Sequence, residues 1–221
     1  NQVPYEWAKL LRENYHVIVE ELQADDYPLV SIHLMDEGNE YINTHNKWRA
    51  LYLLINGQET KISAKFPRTM ELIRQTPLFV AFISFIEDGG SLPFHRGTSQ
   101  IALRYHLGLD VPEGEGELEP YMIVLGDDPV DKRDANYHDI PVCYDIDCTN
   151  HYLKEQVEVK GRNMQRLTWK TGDDFVFDDM FEHHVNNPNP RPRLVLFADY
   201  VRPNCPYVLS KLMDFISFFW V

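Results

Sequence analysis

Hydrophobic residues recur along this chain with two different periods. Between Tyr5 and Leu22, Trp7, Leu10, Leu11, Tyr15, Val17, Ile18 and Leu22 stand among charges at helix-like spacing, which predicts one amphipathic helix packed on the outside of a domain. Trp48 to Ile55 predicts a strand, Asn56-Gly57 a tight turn, and Pro67 to Gln75 a short helix with proline in its first turn. After that the texture changes. Leu78 to Ile86, Gln100 to Val111, Tyr121 to Leu125, Asp174 to Asp178 and Arg193 to Val201 are short β-rich runs separated by Gly, Pro, Asn and Asp clusters. Such a succession predicts a mainly β sandwich or barrel with flanking helices.

Two segments fall outside this pattern. Gly126 to Arg166 is polar, Asp-rich and weakly periodic, and its scattered apolar points (Tyr137, Ile140, Val142, Tyr144, Ile146, Tyr152, Leu153) suit a cover pinned over the domain. Val208 to Val221 is apolar on most faces, which suits a buried helix, a self-association surface or an amphipathic membrane contact, with burial or self-association favoured. With 221 residues, one domain is expected. It divides into a helical support region over 1–76, a β core over 77–203 with an insert at 126–166, and an apolar C-terminal helix over 204–221.

Composition narrows the partners. At 44% hydrophobic and 25% charged residues a packed core is available, and 21 Lys+Arg against 34 Asp+Glu gives a net charge of −13. A phosphate backbone would be repelled on average, so nucleic acid is not an expected partner. The longest uncharged apolar stretches, Thr76 to Ile86 and Phe215 to Val221, fall short of the ~20 residues that a membrane-spanning helix needs. Cys143, Cys148 and Cys205 are a sparse, odd set and no Asn-x-Ser/Thr sequon is present, which points to a reducing, cytoplasmic setting. Cys143 and Cys148 share one polar segment, and whether they pair stays open. The chain opens without Met, as a truncated N-terminus would.

Chemistry concentrates in the β region. From Gln100 to Leu109 one strand face carries Ile101, Leu103, Tyr105, Leu107 and Leu109, and the other Gln100, Ala102, Arg104, His106 and Gly108. An Arg and a His two residues apart suit either a solvated sheet surface or, inside a barrel, an anion site. His95 precedes this strand, and His183 and His184 lie far downstream. Two separated histidines near strand ends can share a metal, but imidazole serves iron, copper, nickel and zinc alike.

The strings His95-Arg-Gly, Leu103-Arg-Tyr-His-Leu-Gly-Leu-Asp-Val-Pro112, Phe177-Asp-Asp-Met-Phe-Glu-His-His-Val185, Arg193-Leu-Val-Leu-Phe-Ala-Asp199 and Arg202-Pro203 occur in this order. Together with Trp48, Gly57, Phe66-Pro67 and Ser84 upstream, this set resembles the aspartyl/asparaginyl β-hydroxylase family of iron(II)- and 2-oxoglutarate-dependent oxygenases. The resemblance implies a double-stranded β-helix of the jelly-roll, cupin-like type. It also implies His95 and His183 as iron ligands, Arg193 as the clamp for the distant carboxylate of 2-oxoglutarate, and Ser84 and His106 as further cosubstrate contacts. Arg104 is implied to bind a carboxylate near the metal. Gly97 stands where many such oxygenases place a third, carboxylate ligand, and the resemblance gives Asp179 the task of holding the water that fills that position. The implied reaction hydroxylates an unactivated C–H with molecular oxygen, giving succinate and carbon dioxide.

One departure bears on specificity. The family's second substrate arginine falls on Ala102, and losing a guanidinium from a buried carboxylate site costs ~2 kcal/mol or more of substrate binding. The expected substrate is therefore amino-acid-like in a wide sense: an Asp or Asn residue of a peptide, or a small molecule. Halogenation, desaturation or cyclisation at the same centre, and a non-catalytic jelly-roll binding protein, are the competing readings.

Overall fold

A computed structural model of the protein describes residues 6–33, 42–43, 46–97, 99–114, 116–126, 143–144, 157–159 and 162–203. Helices α1 (Glu6–Glu13) and α2 (Tyr15–Gln23) open it, followed by strands β1 (Val30–Ser31), β2 (Trp48–Ile55) and β3 (Gln58–Glu59) and helix α3 (Pro67–Ile73). Then come β4 (Leu78–Ile86), β5 (Gly90–His95), β6 (Ala102–Asp110), β7 (Tyr121–Leu125), β8 (Cys143–Tyr144), β9 (Val157–Val159), β10 (Arg162–Thr168), β11 (Asp174–Phe177), β12 (His183–Asn187) and β13 (Arg193–Val201).

Every strand pairing is antiparallel. One sheet runs β1-β2-β4-β13-β6-β11-β8, with β3 on β2, and the other β5-β12-β7-β10-β9. The two sheets face each other across Ala50, Phe82, Leu92, Met122, Val124, Phe177, Val185 and Phe197. This is the jelly-roll arrangement that the family resemblance implies, and a form of the sandwich or barrel that the strand pattern predicts.

The larger sheet is buried on both faces. Leu51, Leu53, Ala81, Ile83, Tyr105, Leu107, Leu196 and Ala198 pack outward against Leu11 and Ile18 of the first two helices and Phe66, Met70 and Ile73 around the third. Thus the apolar face of β6 lies under the helices and its polar face lines the barrel, which decides between the surface and interior readings of Arg104 and His106. The helices are fixed by more than apolar contact. Arg12 and the Tyr105 hydroxyl each donate to Asp174, at 3.0 Å, and Trp7 stands edge-on to Tyr105 and Tyr200.

The single N-terminal helix read from spacing is two helices. The chain breaks at Asn14 (φ −115, ψ 17), whose side-chain amide donates to the Leu10 carbonyl and so competes with the helix backbone. At Asn56-Gly57 both residues have positive φ, 50 and 78, the left-handed pair of a tight hairpin turn. A different constraint sets Gly108. A Cβ there would lie 2.1 Å from the Lys170 carbonyl oxygen, because the 170–173 turn folds over the strand and exchanges backbone hydrogen bonds with it. Gly108→Ala is expected to lower stability by ~1–3 kcal/mol, the cost of forcing rigid backbone apart, and a thermal unfolding scan measures it.

Among the described residues no helix is long and apolar enough to cross a membrane. Apart from residues 126, 143–144, 157–159 and 162–166, the expected 126–166 cover lies outside the described residues. So do the Cys143–Cys148 question and the C-terminal helix over 204–221.

Candidate metal and carboxylate site

The register of the smaller sheet sets His183 of β12 directly opposite His95 of β5. Their ring centroids are 4.2 Å apart. Each Nδ1 is tied to the carbonyl two residues earlier, His95 to Pro93 at 2.7 Å and His183 to Phe181 at 2.9 Å. A carbonyl only accepts, so each Nδ1 carries a proton and Nε2 is the ring nitrogen that would meet a metal. Burial, then the adjacent His95, holds the His183 pKa well below its ordinary value, so this imidazole stays neutral at physiological pH. His184, next in sequence, points to the other side of the strand, where it meets the Ser91 hydroxyl and the Phe94 ring.

The histidines open into a small cavity between the sheets, lined also by Trp48, Ser84, Arg104, His106 and Arg193. At its far wall Arg193, at the start of β13, is buried with its guanidinium 4.2 Å over the Trp169 ring. Nη2 donates to the Ser84 hydroxyl at 3.4 Å, while Nε and Nη1 have no hydrogen-bond partner among the described residues. Burial pushes this guanidinium down to about 9, so it is still cationic at neutral pH with no carboxylate beside it. The Ser84 hydroxyl is itself held by the Trp48 indole at 3.0 Å.

His106 completes that wall. The Trp169 indole donates to its Nδ1 at 3.3 Å, which places the ring proton on Nε2, and Nε2 too lacks a partner among the described residues. Burial, then Arg193, keeps this ring neutral, so it offers an N–H donor. Two orphaned guanidinium donors, a neutral imidazole donor and a hydroxyl converge on one region. That donor set fits the distant carboxylate of a dianion. Two imidazoles at the opposite end fit a divalent metal.

Arg104 and Asp179 stand differently. Asp179 packs on Gly97: the Gly97 N–H donates to the Asp179 carbonyl at 2.7 Å, and a Cβ on Gly97 would meet the Asp179 carboxylate at 1.8 Å. So Asp179 occupies the space that a side chain two residues after His95 would take. Burial pushes its carboxyl up to about 6, against the pull of Arg104. Among the described residues there is no group of three or more His, Cys, Asp or Glu able to hold a metal, in keeping with glycine at 97. Arg104 meets Asp179 at 2.8 Å and Asp199 at 3.0 and 3.2 Å. Behind them Arg202 pairs with Asp178 at 2.7 Å and donates to the Gln100 and Ala102 carbonyls.

The structure thus gathers Ser84, His95, Arg104, His106, His183 and Arg193 around one cavity, with Asp179 beside it. Sequence reasoning gave no role to Trp48, Trp169, Asp199 or Arg202. Their only signal was position: Trp48, Asp199 and Arg202 lay in the matched strings, whereas nothing marked Trp169.

Residues 12–134 and 153–203 match the family model described as Aspartyl/Asparaginyl beta-hydroxylase. An ornithine lipid ester-linked acyl 2-hydroxylase from Rhizobium tropici is 28% identical over 90% of this chain and 58% of its own length. An aspartate beta-hydroxylase domain-containing protein 2 from Xenopus tropicalis is 25% identical over 95% of this chain and 48% of its own. The chain therefore spans about half the length of the curated relatives it matches. Among solved structures, an oxidoreductase of the 2OG-Fe(II) oxygenase family from Burkholderia pseudomallei is similar at a TM-score of 0.46 and 12% identity, over 92% of this chain and 93% of that one. The jelly-roll assignment rests on the strand pairing of this chain itself.

Proposed function

The chain belongs to the aspartyl/asparaginyl β-hydroxylase family, and we propose that it is an iron(II)- and 2-oxoglutarate-dependent oxygenase that hydroxylates an unactivated C–H of a small-molecule or peptide substrate. The observation that carries this reading is a two-ended cavity. At one end His95 and His183 present their Nε2 atoms; at the other Arg193 holds a buried positive charge whose Nε and Nη1 have no hydrogen-bond partner among the described residues.

When bound, iron(II) and 2-oxoglutarate with molecular oxygen supply the oxidation: the substrate C–H becomes C–OH, and 2-oxoglutarate leaves as succinate and carbon dioxide. His95 and His183 hold the ion through Nε2, oriented by Pro93 and Phe181. Arg193, Ser84 and the His106 Nε2–H hold the far carboxylate. Leu92, Met122, Phe177 and Val185 line the cavity with apolar surface, which excludes water and suits an aliphatic carbon. An aliphatic target is also supported by the Rhizobium tropici relative, which is named for an acyl chain. Cytoplasmic placement and self-association through the 204–221 stretch belong to the same proposal, on the sparse cysteines and the apolar run.

Anaerobic addition of iron(II) and 2-oxoglutarate is expected to produce the weak visible band of a chelated keto acid, and oxygen to discharge it with release of succinate. No band and no succinate from folded protein would sink the oxygenase reading in favour of a binding protein.

A further inference from the structure

Trp169 is buried behind the carboxylate end of the cavity, and the residues lining that cavity do not include it. It nevertheless touches two residues that do. Its indole N–H donates to His106 Nδ1 at 3.3 Å, and its ring centroid lies 4.2 Å from the Arg193 guanidinium. The chain fixes it there. Trp169 follows the end of β10, and the turn after it is tied to Gly108, two residues beyond His106: the Gly108 N–H donates to the Asp173 carbonyl and the Gly172 N–H to the Gly108 carbonyl, each at 2.9 Å.

An indole donates and does not accept, so its bond to Nδ1 leaves the His106 proton on Nε2. The other rings around His106 are those of Phe175, Phe177 and Phe197, at 5.4, 5.2 and 5.1 Å between centroids, and none of them carries a polar atom. Without the indole a neutral imidazole carries its proton on either nitrogen. In the wrong tautomer Nε2 would meet an arriving carboxylate with a lone pair instead of an N–H.

At Arg193 the same side chain works through its face. A carboxylate would hold a buried cation by taking its N–H groups, whereas a π face attracts the cation and needs no hydrogen bond from it. Nε and Nη1 accordingly have no hydrogen-bond partner among the described residues, and Nη2 reaches the Ser84 hydroxyl at 3.4 Å. One indole thus keeps two neighbouring residues as donors toward the same region.

Resting on the oxygenase reading, we propose that Trp169 is a positioning residue for 2-oxoglutarate: it fixes the tautomer of His106 and steadies the Arg193 cation with its donors left for the distant carboxylate.

The first test needs no variant and no cosubstrate. Long-range proton–nitrogen NMR correlations of nitrogen-labelled histidine, on the full chain without metal, are expected to show His106 as the Nε2–H form alone. In Trp169→Phe, which keeps an aromatic face and removes the N–H, the two ring nitrogens should shift toward one another as both tautomers populate. Calorimetry on the zinc(II)-loaded chain then reads binding without turnover. 2-Oxoglutarate should bind ~3–10-fold more weakly to Trp169→Phe, the worth of one hydrogen bond, and ~10–100-fold more weakly to Trp169→Leu, which loses the π face as well. 2-Oxopentanoate has the same chain length and keto-acid end and lacks the distant carboxylate, so it should bind wild type and Trp169→Phe alike. A ring proton on His106 Nδ1 in wild type would overturn the inference. So would unchanged 2-oxoglutarate affinity in the folded variants, or an equal loss for both keto acids, which is the signature of a merely structural tryptophan. Failure of wild type itself to bind 2-oxoglutarate is a separate result, and it is the oxygenase reading that then falls.

Discussion

His183→Ala is expected to abolish metal binding and succinate formation, whereas His184→Ala, one residue away, leaves both nearly unchanged. The pair is a sharp test because the two side chains leave β12 on opposite faces. His183 is buried in the cavity opposite His95, and His184 lies outside against Ser91 and Phe94. With only two protein ligands, deletion of either leaves one imidazole. Outer partners of metal ligands alone are worth ~10–100-fold in affinity, so loss of a ligand itself should exceed ~100-fold. His95→Ala should match it. His183→Gln preserves volume and separates metal loss from a packing defect. The pH profile carries a second signature. In the proposed site His183 would bind metal as the neutral ring, and burial with its His95 neighbour holds its pKa well below the usual 6.5. The contribution of His183 to metal affinity should therefore persist as pH falls through 6.5 and be lost only further down. Equal loss in His183→Ala and His184→Ala, measured by iron titration, would move the site elsewhere.

Much of this architecture is legible without coordinates, and the gaps have physical causes. Trp48–Ile55, Tyr121–Leu125 and Arg193–Val201 are read to the residue, because each is a run of apolar and β-branched side chains bounded by turn formers. β5 and β12 are not read. Their buried positions include Gly90, His95, His183 and Asn187, so hydropathy finds no strand where the site places polar groups inward. Asn187 is buried because its amide serves the Ile86, Glu87 and Arg191 carbonyls, holding the turn that leads into β13 and Arg193. Composition ranks the polar face of β6 as surface. Only the pairing of two sheets, a long-range fact, turns it inward. For the same reason Asp199 is invisible as a partner of Arg104, which stands 95 residues away. The ordered strings named the metal and carboxylate residues, but nothing local in them says that Arg104 pairs with Asp199 and Asp179.

Arg193→Met is expected to do two opposite things: stabilise the ligand-free protein and all but remove 2-oxoglutarate binding. In the free protein this guanidinium is buried over Trp169, and among the described residues Nε and Nη1 have no hydrogen-bond partner and no carboxylate pairs with it. Burying such a charge costs stability, and an apolar side chain of similar length removes that cost and keeps the contact with Trp169. The sign follows from the pKa. Burial lowers it to about 9, so the folded state disfavours the proton relative to the unfolded chain. The destabilisation is therefore complete below about pH 9 and shrinks as pH rises above it. Stability measured by urea unfolding should be higher in Arg193→Met by a margin that is constant near neutrality and narrows above pH 9. Cosubstrate binding moves the other way. Deleting one partner of a buried, hydrogen-bonded charge pair costs ~2–5 kcal/mol, which is a rise of ~30-fold to several thousandfold in the 2-oxoglutarate dissociation constant. Saturating 2-oxoglutarate should reverse the ranking, stabilising wild type by mass action and leaving the variant where it was. If the variant is less stable than wild type without ligand, Arg193 is a structural cation satisfied within the fold. If it binds 2-oxoglutarate as before, the clamp lies elsewhere in the cavity.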